Sequence, residues 1–333
     1  MKILNVLKDI KKGQLPSFTY MFKRIWEQAG HYSKKYRLSR LYLFVDYFWC
    51  ALIHGCSGTE YFIYEFFLLN RKGKRKLVSE LYEAKFEKKH TDEKQEAVIE
   101  DKEKSLSFFG KYIDRDWCGA SDNNTEERFG RFYDEHEIGI IKPLCGHGGA
   151  GVEIVKLKER FESAAALREH CLKNKLLIEE LINQHDELNR VFPTAINTAR
   201  IITLKGKVIG AALRMGVGES NVDNAHAGGI FAEIDINEGI TIGQAMRYTG
   251  ERFLCHPTTG TIIPGFEIPF WSECKAMVEE ASKLVPDVYL IGWDVAVTPD
   301  GPTLVEVNTH PGLTAVQAPN GHGLKHEFER IKD

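Results

Sequence analysis

The amino-acid sequence predicts an α+β fold preceded by a helical N-terminal region rich in aromatic residues. Three observations carry that expectation. Residues 1–93 read as helical and hold a dense set of aromatic side chains. Beyond a charged run at 85–104, short apolar strands alternate with helical segments. Towards the C-terminus, two apolar strands with acidic residues inside them flank a turn containing Asp300 and Gly301.

The N-terminal region carries Phe18, Tyr20, Phe22 and Trp26, then Tyr42, Phe44, Tyr47, Phe48 and Trp49. A break at 55–58 leads into a further aromatic stretch at 61–69. The apolar run at 41–53 contains Asp46 and is shorter than the roughly 20 residues of a membrane span. It reads as a buried amphipathic helix, with membrane contact as the alternative. The run at 85–104 reads as a solvated helix or linker. Residues 138–143 (IGIIKP) form a strand that enters a glycine-rich turn, and 159–173 have helical spacing with Phe161, Ala165, Leu167 and Cys171 inward. Residues 176–182 read as a strand, and 199–204 with 208–213 as a hairpin through Lys205, Gly206 and Lys207. Pro269 opens a helix with Trp271, Cys274, Met277, Val278, Ala281 and Val285 at helical period. Strands at 290–297 and 303–307 close the pattern.

A chain of 333 residues, 43 % hydrophobic and 27 % charged, has the composition of a globular protein with two or three packed units. A net charge of −3 argues against general nucleic-acid binding, which needs a basic face. The charge is uneven: residues 1–40 hold ten Lys and Arg against Asp9 and Glu27, a local excess of eight positive charges. A solvated basic lead-in is one reading; attraction to an anionic membrane face or an acidic glycan is the other. Seven scattered cysteines without a CxxC pair fit a reducing cytoplasm rather than a disulfide framework or zinc site. No signal peptide is visible, so the expected location is cytoplasmic, with peripheral contact at the inner membrane face as the alternative.

Two constellations carry chemistry. Lys142 ends a strand just before Gly146, Gly148, Gly149 and Gly151. Such a loop lets backbone N–H groups approach phosphate oxygens, with an ammonium beside them, although a plain tight turn has the same composition. It lacks the Gly-Lys-Ser/Thr of a Walker A loop. The second constellation is Asp294 on one apolar strand with Glu306 and Asn308 on the next. Glu306 and Asn308 share a face by the period of two, and strand pairing would bring Asp294 to them. Hard oxygen ligands of this kind suit Mg²⁺. The alternative is a charged edge or an ion pair in the core.

Taken in order, Lys142 with its loop, Leu-Ile-Glu179-Glu180-Leu181-Ile182, Gly292-Trp-Asp294 and Glu306-Val-Asn308 resemble the ATP-grasp superfamily. Asn197-Thr-Ala-Arg200-Ile and Val222-Asp223-Asn224-Ala-His226-Ala-Gly228-Gly229 resemble more closely the sugar-transfer-associated ATP-grasp proteins of polysaccharide biosynthesis. The resemblance covers about residues 95–320. It implies two α+β subdomains closing on ATP, the smaller over 94–175 with the glycine loop and the larger over 176–333 with the metal site. It further implies phosphate contact by Lys142 and a flap formed by the glycines. Backbone groups of Glu179, Glu180, Leu181 and Ile182 would recognise adenine, Glu187 the ribose hydroxyls, and Asp294, Glu306 and Asn308 one or two Mg²⁺. A second lysine should precede the loop; Lys102 is the choice, with Lys104 and Lys111 competing.

One departure stands out. Several amide-forming relatives carry an arginine two residues before the metal aspartate, where this chain has Gly292. Arg200 and Arg214 are the candidates to stabilise charge instead, a structural ion pair being the alternative role for each. His226 could position an acceptor or act as a base, and His310 stands in a similar position after the metal strand. The expected reaction is carboxylate–amine ligation through an acyl phosphate, on a carboxylate and an amine from carbohydrate metabolism. A sugar or alcohol kinase is the alternative, and an idle scaffold of the same fold is a third reading.

Overall fold

A computed structural model describes residues 18–121, 125–144, 151–218 and 228–331. The N-terminal region is helical: α1 (Phe18–Tyr36), α2 (Arg40–His54), α3 (Gly58–Ile63), α4 (Arg71–Lys76), α5 (Glu80–His90), α6 (Glu93–Glu100) and α7 (Lys102–Phe108). Side-chain caps set their starts. The Ser39 hydroxyl accepts from Tyr42 N–H, and Ser57 and Glu60 form a reciprocal capping box at α3. Gly55 ends α2 at φ 68°, a left-handed position where its missing Cβ costs nothing. The charged run is helical: Asp92 and Asp101 each accept backbone N–H bonds and so divide it into α5, α6 and α7.

Two antiparallel sheets follow. The smaller contains β1 (Trp117–Cys118), β2 (Ile138–Pro143), β3 (Glu153–Lys156) and β4 (Leu176–Glu180), in the order β1-β4-β2-β3. Against it lie α8 (Glu126–Glu135) and α9 (Ala164–Asn174), which bury Phe129, Phe132, Leu167 and Cys171. Helix α9 starts later than the spacing predicts, because the Ser163 side chain accepts from Ala166 N–H and caps it there. Strand β4 likewise stops at Glu180, short of the expected 182.

The larger sheet comprises β5 (Thr198–Leu204), β6 (Lys207–Met215), β7 (Ile230–Ile234), β8 (Thr241–Met246), β9 (Arg252–Phe253), β10 (Leu290–Thr298) and β11 (Gly301–Asn308). Its order is β11-β10-β5-β6-β7-β8-β9. Both faces are covered, as the period of two requires of strands apolar throughout. Ile201, Leu213, Trp293 and Val295 face α11 (Trp271–Ser282), with α10 (Asp186–Val191) nearby. Ile202, Ala212, Phe231 and Leu290 pack instead with Tyr61, Phe62, Phe66 and Leu43 of the N-terminal helices. The expected hairpin through Lys205 and Gly206 is present, both residues at positive φ.

Helix α2 corrects one expectation. Its inner face is buried through Leu43, Tyr47 and Cys50, but Leu41, Val45, Trp49, Leu52 and Ile53 are exposed. No described helix is long and apolar enough to cross a membrane.

Candidate active site

The register of the large sheet builds the first part of the site. Asp294 on β10 lies directly opposite Arg200 on β5 and, on its other side, opposite Glu306 on β11. Arg200 grips both carboxylate oxygens, Nε to Oδ1 at 2.5 Å and Nη2 to Oδ2 at 3.0 Å, and Arg214 Nη1 lies 3.2 Å from each. Asp294 is buried, and burial pushes its pKa up; the two guanidiniums overcome this and hold it below the usual range. Asp294, Arg200 and Arg214 thus form a buried ion-pair cluster. Both Asp294 oxygens are engaged by guanidiniums, so metal binding there would need at least one arginine to turn away.

Gly292 explains why the arginine comes from β5. A Cβ at 292 would lie 2.5 Å from Pro311 Cβ and 3.4 Å from Arg200 Cδ. The turn after β11 thus closes that position to any side chain, and Arg200 runs through the space beside it. Arg200 Nη1 also donates to Pro311 O at 2.8 Å, which ties the guanidinium to the same turn.

Glu306 differs from Asp294. No described residue donates a hydrogen bond to its carboxylate, and it keeps solvent access although protein surrounds it on most sides. Its pKa is raised by that burial and by the Asp294 charge, against the opposing pull of Lys102, Arg200 and Lys142. Two places along β11, the buried Asn308 Nδ2 has no hydrogen-bond partner among the described residues. With that amide turned over, its carbonyl oxygen would take the orphaned position, on the same face of β11 as the Glu306 carboxylate. That donor set fits a hard divalent cation.

The smaller sheet supplies the second part. Lys142 Nζ on β2 lies 3.1 Å from Glu179 Oε1, and Arg115 Nε lies 2.6 Å from Glu179 Oε2. Burial would raise Glu179, but Arg115 and then Lys142 hold it down at about 2. Arg115 also donates to Leu304 O at 2.6 Å and Val305 O at 3.2 Å on β11, so one buried guanidinium joins the two sheets. No sequence motif marks Arg115, and the sequence reading missed it. Tyr248 stands near the same arginines; burial raises its pKa against the charges of Arg200 and Arg214.

Among the competing lysines, Lys102 Nζ donates to Pro143 O at 2.9 Å, beside the end of β2. Lys104 pairs with Asp101 at 2.9 Å and Lys111 with Glu280 at 2.6 Å, both exposed. Of the expected hinge, Glu179 and Glu180 pair within the sheet, opposite Ile140 and Gly139, and Leu181 and Ile182 follow the end of the strand. Glu187 lies on α10, paired with Arg190 at 2.7 Å. Gly151 has φ 77° at the close of the glycine loop. Gly146, Gly148, Gly149 and His226 lie outside the described residues. His310 is held between Glu87 at 2.9 Å and Glu96 at 3.2 Å.

Residues 81–333 match the family model described as sugar-transfer associated ATP-grasp. The chain is a sugar-transfer-associated ATP-grasp protein. Its fold is therefore the α+β ATP-grasp fold, here with helices rich in aromatics before it. The ATP-grasp ligase PsnB, in complex with a phosphomimetic variant of its minimal precursor, Mg and ADP, is similar at 16 % identity and a TM-score of 0.42, over 72 % of this chain and 58 % of that one. D-alanine–D-alanine ligase from Bacillus anthracis with ATP is similar at 14 % identity and a TM-score of 0.41, over 75 % of this chain and 68 % of that one. D-cycloserine synthetase DcsG follows at 12 % and 0.40, over 71 % of each chain. The ATP-grasp chain described here thus spans less than two thirds of the length of the PsnB chain. No curated protein matches the sequence.

Proposed function

We propose that this chain is an ATP-dependent carboxylate–amine ligase that works through an acyl phosphate, on a sugar or polysaccharide precursor. The observation that carries the reading is Arg200 beside Gly292. The arginine that amide-forming relatives place on the metal strand is missing from it, yet a guanidinium from the adjacent strand fills the neighbouring space. The absence of an arginine at 292 therefore gives no support to the kinase alternative.

Electrostatics supports a polyanionic substrate. Lys102, Lys142, Arg115, Arg200 and Arg214 gather around Glu179, Asp294 and Glu306, a concentration of cations suited to phosphate oxygens. Lys102 and Lys142 would meet the phosphates, the connector at Leu181 and Ile182 the adenine, and Glu187 the ribose. Glu306 and Asn308 would hold Mg²⁺, with Asp294 joining as its guanidiniums turn to the phosphoryl oxygens. When bound, Mg²⁺ would neutralise charge on the β- and γ-phosphates.

In the first step a carboxylate oxygen of the substrate attacks the γ-phosphorus, the bond to the β-phosphate oxygen breaks, and ADP leaves. The acyl phosphate is then attacked at its carbonyl carbon by an amine; phosphate leaves and the amine nitrogen loses a proton. Arg200 and Arg214 orient the carboxylate and hold the equatorial phosphoryl oxygens, a charge-stabilising role that needs no protein nucleophile. The test is a screen of ADP release over uronic acids paired with amino acids or amino sugars. ADP release that requires a carboxylate and yields an amide supports the reading; release driven by a sugar hydroxyl alone contradicts it.

A further inference from the structure

Helix α2 carries apolar side chains on both faces, and only one face is used by the fold. Leu43, Tyr47 and Cys50 are buried against the other N-terminal helices. Leu41, Val45, Trp49, Leu52 and Ile53 recur at helical spacing on the outer face, with Trp49 62 % and Leu52 79 % exposed. Leu81 extends the stripe past the end of α2, since its Cδ2 lies 3.0 Å from where a Cβ on Gly55 would stand. A contiguous exposed apolar face of this kind marks an interaction surface.

Its flank is basic. Helix α4 has the sequence RKGKRK, and Arg71, Lys72, Arg75 and Lys76 are exposed. The helix is fixed beside α2 by Lys74, whose Nζ lies 3.2 Å from Cys50 Sγ and 3.7 Å from Asp46 Oδ2. Asp46 is the one acid in the two helices, and it is taken up by Tyr61 at 2.8 Å and by Lys74.

We propose that the outer face of α2, with the basic helix α4 beside it, seats the protein on an anionic lipid bilayer. A tryptophan among aliphatic side chains, flanked by cations, matches the boundary between acyl chains and anionic headgroups. The helix of 15 residues is too short to span the hydrocarbon core, so it lies on the surface. A second copy of the chain is a poorer occupant, because a two-fold contact through this face would bring two basic helices together with no exposed carboxylate on α2 or α4 to meet them. The surface is made by residues other than the basic N-terminal lead-in, and the proposal does not rest on the ligase reading.

Cosedimentation of the full chain with vesicles tests it. The expected result is binding to phosphatidylcholine vesicles containing phosphatidylglycerol, release at high salt, and little binding to phosphatidylcholine alone. Trp49 emission should shift to the blue on binding, and the shift should vanish in Trp49→Phe. Leu52→Asp should abolish binding, and joint replacement of Arg71, Lys72, Arg75 and Lys76 by Gln should weaken it about a thousandfold. All these side chains are exposed, so melting curves should stay unchanged; Lys74 is left in place because it anchors α4. Equal binding to both vesicle types, or binding that survives both the glutamines and high salt, overturns the proposal. So does a dimer in solution that Leu52→Asp dissociates, with no binding to either vesicle.

Discussion

Arg200 and Asp294 face each other in register across β5 and β10, and the guanidinium holds both carboxylate oxygens. Asp294 is 2 % exposed, so its charge depends on Arg200 and Arg214 rather than on water. Glu306, its partner on β11, has the opposite standing: accessible, without a hydrogen-bond donor among the described residues, and beside the orphaned Asn308 amide.

That contrast separates two substitutions. Asp294→Asn leaves two arginines facing a neutral amide in a buried site and should cost about 3–5 kcal/mol of stability. Glu306→Gln removes a carboxylate that holds nothing in the fold and should change stability by no more than about 0.5 kcal/mol. Both should lose Mg²⁺-dependent turnover. Denaturant melts beside ADP-release assays check this; equal stability losses in the two variants would contradict the assignment.

Lys142 and Arg115 share Glu179 but should behave differently. Glu179 keeps Arg115 when Lys142 is replaced, so Lys142→Met should weaken ATP binding at least about tenfold with a stability loss near 1 kcal/mol. Arg115→Leu leaves the buried Glu179 half-neutralised and cuts the bonds to Leu304 and Val305, for a loss of about 3–5 kcal/mol. Calorimetry with an ATP analogue and denaturant melts distinguish the two. An Arg115→Leu variant as stable as the native chain would refute its linking role.

Much of the fold was legible because strands and helices here follow their apolar period. Residues 138–143 form β2 over the expected span, and the hairpin through Lys205 and Gly206 lies where its turn residues put it. The acidic strands pair as their turn implies, bringing Asp294 opposite Glu306. Partnerships across distant elements were not legible. Nothing local in the sequence brings Arg200 onto Asp294, or Arg115 onto Glu179 and β11, because those contacts depend on sheet order. The outer face of α2 was misread for a related reason: its apolar spacing is the same whether a face meets the core or solvent.

Stability should fall between about pH 5 and pH 8. Glu83 is raised to about 8 by burial and by Glu87, and Glu60 to about 7, chiefly by burial. Both therefore bind protons in the folded chain that the unfolded chain has already released, and folding weakens as pH rises through this window. His310 adds the same sign: burial lowers its pKa but Glu87 and Glu96 raise it further, so its contribution is complete below about 6.5 and lost as pH climbs through its folded pKa. At the acid end, Glu179 and Asp294 have depressed pKa values, so their stabilisation disappears as pH falls below about 4. A melting-temperature profile should peak near pH 5, and Glu83→Gln should flatten its alkaline limb.

The central claim is that the chain makes an acyl phosphate with Arg200 steadying the phosphoryl group. Hydroxylamine trapping measures this most directly. With Mg-ATP and the carboxylate substrate but no amine, hydroxylamine should yield a hydroxamate in step with ADP. Arg200→Lys keeps the charge but loses the planar fork, and should slow hydroxamate formation by about 2–4 kcal/mol of barrier while ATP affinity stays nearly unchanged. A stable phosphorylated sugar in place of the hydroxamate, or an Arg200→Lys enzyme at full rate, would contradict the account.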